Sequence, residues 1–294
     1  MNETNRKTLI PVPPSTGTRV QDHPSTGALG HTCTPKMTRI IAITNEKGGT
    51  GKTTTAVNLA HALARAGHRT LLVDLDPQGN ATQHLGIDPN PGAYHLFTDA
   101  AEPLSCIHQA RGRLDLLPAN KNLFAAQLHV STLPGRELIL RNKLAPIVAG
   151  YDFVLVDCAP SLSVLGHNAL AFCKEVIVPV SMDYLSLAGL ESVERTVATI
   201  GRALGHDARI TGVVPTFFDA RLTASCEILA EVERRFGSRV LPTIRINSKL
   251  REAPKHQRTI FEYASDSRGA HDYDTLAQRI IAMEVIEDGN KSLP

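Results

Sequence analysis

The sequence predicts an α/β fold with a doubly wound, mostly parallel sheet and a disordered N-terminal tail. From about residue 38 onward, short apolar runs rich in β-branched residues alternate with stretches of helical periodicity, as in strands joined by helical crossovers. Several of these runs end in acidic or glycine-rich turns, as strands do when their carboxyl ends line a ligand site. Residues 1–37 differ, because they hold five prolines and seven threonines with little apolar periodicity, which favours disorder. We therefore expect a tail over 1–37 and one folded domain over 38–294.

The composition limits the functions that the chain can have. Of its 294 residues, 42% are hydrophobic and 20% are charged, and the formal net charge is +2. A nucleic-acid surface would therefore have to be a local patch. No apolar run in the sequence approaches the ~18 residues of a membrane span, so we expect no membrane partner. The five cysteines are scattered without paired spacing, which favours reduced thiols in a cytoplasm.

The first predicted strand, at residues 39–44, leads into a glycine-rich loop and then a helix. From Lys52 onward, apolar residues recur at helical spacing, at Ala56, Leu59, Ala60 and Leu63. A strand, a glycine loop, Gly-Lys-Thr and a helix, in this order, form the phosphate-binding loop (P-loop) of nucleotide hydrolases. The sheet is therefore expected to be of the P-loop NTPase type.

Each part of this loop has a chemical role in holding a nucleotide. Its glycines let the backbone bend so that several N–H groups point at one anion, and the start of the helix adds its positive dipole end. Lys52 would reach the β- and γ-phosphates, and the Thr53 hydroxyl would bind Mg²⁺. The predicted nucleotide-binding residues of the loop are Lys47, Gly48, Gly49, Thr50, Gly51, Lys52, Thr53 and Thr54.

Carboxylates follow two further predicted strands. Asp74 and Asp76 come after the strand at residues 71–73, and Asp157 ends the wholly apolar strand at residues 153–156. Ligands bind at the carboxyl edge of open α/β sheets, where an aspartate can hold water or Mg²⁺ beside the γ-phosphate. The predicted metal-binding residues are Thr53, Asp76 and Asp157.

The rest of the chain continues the alternation of strands and helices. Strands are predicted at residues 113–118, 175–180 and 210–214, the last followed by a helix start near 221. Helices are predicted at residues 136–148, 186–204 and 270–283, and residues 240–244 end in a loop. One doubly wound sheet accommodates all of these elements.

The glycine loop departs from the common P-loop pattern. Glu46 stands where G-x-x-x-x-G-K-[ST] places a glycine, and an extra lysine, Lys47, follows it. The resulting Lys-Gly-Gly-Thr-Gly-Lys-Thr is the deviant Walker A motif, and it resembles the ParA/MinD group of ATPases. The chain resembles the ParA, or Soj, ATPases over about residues 38–285, with further matches at residues 74–79, 218–221, 250–254 and 267–270.

This resemblance implies a function and a set of partners. Members hydrolyse ATP slowly with Mg²⁺, form homodimers with ATP sandwiched between the subunits, and bind double-stranded DNA non-specifically. A ParB-type partner triggers hydrolysis, and the cycle drives chromosome or plasmid partitioning. The resemblance therefore implies a cytoplasmic, nucleoid-associated ATPase.

The resemblance also implies roles for particular residues. The catalytic residues would be Lys47, Lys52 and Asp76. Lys47 would reach phosphates bound by the partner subunit, and Asp76 would orient the attacking water. Thr216 and Asn247 would contribute to nucleotide binding, and the DNA-binding residues would be Arg221, Arg245, Lys249 and Arg251.

Two segments depart from the family pattern. Relatives often have Ile-Pro-Arg-Asn at residues 244–247, in the loop that borders the adenine, where this chain has Ile-Arg-Ile-Asn. They often have Gln-x-Glu-Tyr-Tyr-Ala-Leu-Glu-Gly where this chain has Ser-Met-Asp-Tyr-Leu-Ser-Leu-Ala-Gly at residues 181–189. Between Arg234 and Arg258 there are eight basic residues and one acidic residue. Such a segment can hold phosphates without reading bases, or it can be an ordinary solvated face.

Other interpretations of the sequence remain open. A ParA-like ATPase that positions a protein cargo, such as a division regulator, chemoreceptor cluster or microcompartment, would have the same chemistry and a different partner. A MinD-like membrane ATPase would need a C-terminal amphipathic anchor, whereas residues 284–294 are acidic and short of apolar residues. The tail would be a partner-binding segment or a solvated leader before a true start at Met37.

Overall fold

The computed structural model describes residues 37–283, except residues 161 and 162. All of the predicted tail except Met37 lies outside the described residues. The strands of the described residues form one seven-stranded sheet. They are β1 (Arg39–Ile43), β2 (Thr70–Leu75), β3 (His108–Arg111), β4 (Leu114–Leu117), β5 (Phe153–Cys158), β6 (Glu175–Ser181) and β7 (Arg209–Thr216).

The strand order is β3-β4-β2-β5-β1-β6-β7. Every neighbouring pair is parallel except β3 and β4, which are antiparallel. The two central strands β2 and β5 are buried along their whole length, which explains why both read as continuous apolar runs. The sequence-based prediction of a mostly parallel, doubly wound α/β sheet is therefore confirmed.

Eleven α-helices surround this sheet in the described part of the chain. They are α1 (Lys52–Arg65), α2 (Asn80–Leu85), α3 (Ala93–Phe97), α4 (Leu123–Val130), α5 (Ile139–Val148), α6 (Val164–Phe172), α7 (Tyr184–Leu204), α8 (Thr223–Phe236), α9 (Ser248–Glu252), α10 (Ile260–Tyr263) and α11 (Arg268–Ala282). None of the helices within these described segments is both long enough and apolar enough to cross a membrane.

Helices cover both faces of the sheet, as alternation along the strands requires. Ala42 and Leu71 belong to the core cluster that includes residues of α3 to α8. Their neighbours Ile41 and Leu72 belong to the opposite cluster, which includes residues of α1, α2, α10 and α11. Burial of apolar side chains on both faces fixes the register of the central strands.

Several elements differ from their predicted bounds. The helix predicted over 136–148 begins with a 3₁₀ turn at Arg136–Leu138 before α5. The helix after β7 starts at Thr223, beyond a turn, and residues 240–244 contribute an isolated bridge instead of a strand. The edge strand β3 and most of the short helices were not predicted. Strand order nevertheless brings the carboxyl ends of β1, β2 and β5 together at the centre of one sheet edge.

Candidate functional site

The loop between β1 and α1 forms one wall of an open cleft of about 530 Å³. Gly49 and Gly51 have φ angles of +75° and +84°, in the left-handed region that favours glycine. A Cβ at either position would meet no atom closer than 3.7 Å, so the constraint there is conformational. The cleft is lined by Gly48, Gly49, Gly51, Lys52, Thr53, Thr54, Asp76, Pro77, Gln78, Asn80, Phe124, Gln127, Ala159 and Pro160.

Lys52 lies under the loop, with 8% of the residue exposed. Its Nζ donates to the Lys47 carbonyl oxygen at 2.9 Å. Burial lowers the pKa of Lys52, and Asp157, Cys158 and Asp76 oppose this change. A positive charge that is partly desolvated and flanked by carboxylates interacts strongly with an incoming polyphosphate.

Asp157 is fully buried at the end of β5. Neither of its carboxylate oxygens has a hydrogen-bond partner among the described residues. Burial raises the pKa of Asp157 well above its usual value, and Asp74 adds to the rise. The Thr53 hydroxyl and Lys52 oppose the change, although neither makes a hydrogen bond of normal geometry to the carboxylate. Burying a carboxylate without a hydrogen-bond partner costs free energy. The position of this group therefore suits a bound cation or water that would supply the partner.

Asp74 pairs in register with Asp157 on the adjacent strand, yet its surroundings differ. It accepts hydrogen bonds from the Thr82 backbone N–H at 2.9 Å, the Thr82 hydroxyl at 2.7 Å and the Asp76 N–H at 3.1 Å. Burial raises its pKa to about 6 in spite of these bonds. Asp74 therefore anchors the start of α2, which leaves Asp76 to face the cleft.

Asp76 lines the cleft, and its Oδ1 accepts a hydrogen bond from the Gln78 N–H at 2.9 Å. Thr53 lines the same cleft, and the oxygens of Asp157 lie at the same sheet edge. Carboxylate and hydroxyl oxygens are the ligands that Mg²⁺ prefers, usually together with water and phosphate oxygens. The residues present thus fit ATP with Mg²⁺.

A second cavity, of about 180 Å³, shares Gly51 and Thr54 with the cleft. The predicted residues Thr216 and Asn247 both line it. Thr216 donates from its hydroxyl to the Thr50 carbonyl oxygen at 2.9 Å, which fixes the end of β7 against the loop. The other lining residues are Phe217, Ile244, Arg245, Leu250, Arg251 and Tyr273.

Lys47 is the one lysine of the loop that does not line the cleft in the described structure. Its Nζ bonds to Asp183 Oδ1 at 2.5 Å and Ser186 Oγ at 3.0 Å. The preceding residue, Glu46, accepts hydrogen bonds from Ser192 and Thr196 of α7. The start of the loop is therefore held against α7. The Lys47 amine points to α7, whereas the Lys52 amine bonds to the loop backbone.

Of the four predicted DNA-binding residues, Arg221 and Arg245 lie in two loops that a bridge between Phe218 and Arg245 joins, and Lys249 and Arg251 lie in α9. Three of them form ion pairs: Arg221 with Asp219, Arg245 with Asp272, and Lys249 with Glu252. Arg251 is exposed and lines the second cavity. Their role on DNA stays a prediction.

Several residues of the cleft and the second cavity were given no role from the sequence. Phe217 adopts a positive φ of 53° beside Gly51, and Phe124, Gln78 and Asn80 line the cleft. A non-glycine residue in that region is strained and often marks a functional site. Phe217 directly follows Thr216 at the end of a strand, so its place in the strand pattern could have identified it as a site residue. Nothing in the sequence placed α4, which contributes Phe124, at the cleft.

Comparison with known proteins agrees with this site. A family model described as an AAA domain matches residues 38–210. The chain is 41% identical over 251 residues to the sporulation initiation inhibitor protein Soj of Bacillus subtilis, covering 84% of this chain and 99% of that protein. It is 43% identical over 246 residues to the chromosome-partitioning ATPase Soj of Thermus thermophilus, covering 83% and 96%.

Solved structures give the same relationship. The structure titled cobyrinic acid a,c-diamide synthase from Mycobacterium smegmatis, with bound ATP analogue and magnesium, superposes with a TM-score of 0.72 and 33% identity. It covers 83% of this chain and 95% of that one. The deviant P-loop, the paired carboxylates at the sheet edge and these similarities over most of the length give one answer: the chain belongs to the ParA/Soj family of partitioning ATPases.

Proposed function

We propose that this chain is a slow, partner-stimulated ATPase that dimerises around ATP and binds double-stranded DNA without sequence preference. A ParB-type partner would stimulate hydrolysis, and the cycle would partition a chromosome or plasmid. The observation that carries the proposal is the fully buried Asp157 beside the phosphate cleft, whose two oxygens have no hydrogen-bond partner within the part of the chain that the structure describes. Such a carboxylate suits a nucleotide-bound Mg²⁺, which the family's chemistry requires.

The residues of the cleft divide the work of hydrolysis. Backbone N–H groups of the loop and Lys52 would hold the phosphates, and Thr53 and Asp157 would hold the metal through oxygen or water. When bound, Mg²⁺ neutralises charge that develops on the phosphate oxygens. Asp76 lies at the cleft wall with its Oδ1 bonded to the Gln78 N–H, which fixes the carboxylate to orient the attacking water.

The second cavity would hold the nucleotide base. It adjoins the phosphate cleft through Gly51 and Thr54, and the side chains of Phe217, Ile244 and Leu250 make much of its lining apolar. Base sites are typically concave and apolar with a few placed polar groups, and Thr216 and Asn247 supply such groups. We assign this cavity to the adenine of ATP.

The position of Lys47 supports dimerisation. Among the described residues, its amine bonds to Asp183 and Ser186 at the start of α7 and not to its own cleft, so it would reach a second subunit after leaving these contacts. An opposite charge supplied in trans stabilises the transition state of phosphoryl transfer, as an arginine finger does. The dimer would also double the basic surface around Arg221 and Lys249, which would make DNA affinity depend on ATP.

DNA would be the track and the nucleoid the location of a cytoplasmic protein. Exposed cations contact phosphates without reading bases, and Arg221 has 88% of its side chain exposed. The cargo-positioning alternative uses the same ATP and DNA chemistry with another adaptor. A ParB-like gene with centromere repeats beside this one would favour partitioning, and a cargo-protein gene would favour the alternative.

The test is to follow oligomeric state and DNA binding together. Light scattering with ATP and Mg²⁺ should show a dimer, whereas ADP, or ATP with a chelator, should leave a monomer. Gel shifts with unrelated duplexes of equal length should show equal retardation with ATP only. A monomer under every nucleotide condition would contradict the sandwich dimer, and binding to one duplex alone would contradict non-specific recognition.

A further inference from the structure

The side chain of Lys47 is retained by its own subunit. Its Nζ lies 2.5 Å from Asp183 Oδ1 and 3.0 Å from Ser186 Oγ, and 29% of its side chain is exposed. Its backbone N–H also donates to Asn45 Oδ1 at 3.0 Å. A lysine that must enter a second subunit therefore first has to leave an ion pair and a hydrogen bond.

The carboxylate that receives Lys47 is fixed by its own contacts. Asp183 is the N-cap of α7, and it accepts from the Ser186 N–H at 3.1 Å and from the Ser181 hydroxyl at 2.7 Å. The two serine hydroxyls lie 2.7 Å apart. Burial opposes the change, but hydrogen bonds from Lys47, Ser181 and Ser186 hold the pKa of Asp183 below its usual value. The bonds from the Ser181 hydroxyl and the Ser186 N–H thus orient the acceptor independently of the lysine, and Lys47 adds to the stabilisation of its charge.

The adjacent residue ties the same loop to the following turns of α7. Glu46 Oε1 accepts from Thr196 Oγ1 at 2.9 Å, and Oε2 accepts from Ser192 Oγ. These contacts hold the backbone of the loop against the helix and leave only the amine of Lys47 to be exchanged. Breaking the contact with Asp183 therefore frees the lysine without detaching the loop.

We propose that Asp183, supported by Ser181 and Ser186, is a positioning residue that retains Lys47 in its own subunit and so restrains its donation to a partner. This inference rests on the proposed role of Lys47 in trans. An exposed ion pair contributes at most about 1 kcal/mol, or about a fivefold bias per subunit. Two such contacts break when a symmetric dimer forms, so the restraint acts twice.

The first test measures retention without nucleotide. The full-length chain is pulsed with an amine-acylating reagent, and acylation of Lys47 is quantified by mass spectrometry against the exposed Lys121. Asp183→Asn keeps a side-chain acceptor for the N-cap but removes the charge. It should speed acylation of Lys47 by about two- to fivefold. Glu194→Gln, which removes an ion pair between α7 and Arg235 of α8, should leave it unchanged.

The second test measures donation. With a slowly hydrolysed ATP analogue, Asp183→Asn should tighten the dimer by about 4- to 25-fold, which is the square of the single-subunit effect. Ser186→Ala should act in the same direction by less. In a Lys47→Ala background, Asp183→Asn should have no effect, whereas a purely structural role for the cap would persist there.

The outcomes separate this inference from the proposed function. Unchanged acylation of Lys47 in Asp183→Asn, a weaker dimer, or an equal effect in the Lys47→Ala background would each overturn the restraint. A parent chain that never dimerises with ATP would refute the proposed function, while the acylation ratio would still decide whether Asp183 retains the lysine. Faster acylation of Lys47 with an unchanged dimer dissociation constant would show that Asp183 retains the lysine but does not restrain its donation to a partner. This result too would overturn the inference.

Discussion

The phosphate cleft and the basic surface of loops 217–222 and 245–258 use charge in opposite ways. In the cleft, Asp157 is buried and has no hydrogen-bond partner among the described residues. On the basic surface, Arg221, Arg245 and Lys249 each have a carboxylate partner at 2.5 to 2.8 Å. A buried carboxylate that the described residues leave without a partner is suited to one cationic ligand, whereas paired surface charges bind weakly and exchange partners.

This difference teaches which region decides the chemistry and which tunes it. The cleft is placed by the ends of three central strands and a loop with fixed glycine geometry, so each residue has one position. The basic surface lies on loops and short helices such as α9, and its net charge depends on which ion pairs open. Changes in the cleft should therefore be severe, and changes on the surface should be graded.

The largest effect is expected at Asp76. Asp76→Asn preserves the acceptor for the Gln78 N–H but removes the carboxylate that is proposed to orient the attacking water. Turnover should fall by about 10²- to 10⁴-fold with ATP affinity nearly unchanged, so an ATP-bound dimer should accumulate. Phosphate release and light scattering measure the two properties. A variant that stays monomeric with ATP while the parent dimerises would show that Asp76 has a different role.

Lys52 should have the next largest effect. Lys52→Ala removes the charge that lies under the loop, and a charged hydrogen bond to phosphate is worth about 1.5–3 kcal/mol. ATP should therefore bind about 100-fold more weakly, as measured by calorimetry. Lys121→Ala, at an exposed lysine away from the cleft lining, is the matched control. Equal ATP affinity in Lys52→Ala and the parent would contradict the assignment.

His84 joins the two regions, and its substitution should have an intermediate effect on stability. The ring lies in α2, and its Nε2 is 3.1 Å from the carbonyl oxygen of Arg258 in the basic loop. Burial lowers its pKa to about 4, although the bond to Arg258 opposes this. Between about pH 6.5 and 4 the unfolded chain binds the extra proton, so stability falls as the pH falls through this window.

The measurement is the free energy of unfolding in urea at pH 7.5 and pH 5. This histidine should contribute a loss of about 2 kcal/mol on going to pH 5. His84→Gln should remove that part of the pH dependence, and His129→Gln, at an exposed site, should keep it. The same pH dependence in His84→Gln and the parent would mean that other groups carry the loss.

The basic surface should respond least. Arg221→Glu or Lys249→Glu should weaken binding of any duplex by about tenfold and lower the salt dependence of the affinity by about one contact. Each phosphate contact contributes about −0.9 to the slope of log affinity against log salt. Dimerisation with ATP should be unchanged. If both variants bind random DNA at low salt as the parent does, the DNA surface lies elsewhere.

Sequence reasoning succeeded for the cleft because local rules determine its geometry. The run 39–43, the glycines and the apolar strands ending at Asp74 and Asp157 each have one structural solution, and parallel pairing brings their ends together. The structure gives Asp74 structural contacts that the sequence did not predict. The carboxylate of Asp74 accepts hydrogen bonds from Thr82 and from the Asp76 N–H. The bonds from Thr82 depend on the position in which α2 packs.

Counting charges predicted the basic surface less well. Of the eight basic residues from 234 to 258, four form ion pairs: Arg234, Arg235, Arg245 and Lys249. All of the partners except Glu252 lie outside that segment, on α7, α8 and α11. Counting charges within one segment does not identify partners that tertiary packing brings from other parts of the chain. The contact between Lys47 and Asp183 could not be predicted from the local sequence for the same reason.

The most direct test of the central claim mixes two inactive variants. Lys47→Ala lacks the lysine that is proposed to act in trans, and Lys52→Ala is assayed at an ATP concentration well below its weakened dissociation constant, so that its own site stays empty. In a mixed dimer, the Lys47→Ala subunit binds ATP and receives Lys47 from the Lys52→Ala subunit. If Lys47 acts in trans, ATP hydrolysis measured across mixing ratios should return with one active site per mixed dimer. Mixed dimers that form but hydrolyse no faster than either variant alone would contradict the shared active site.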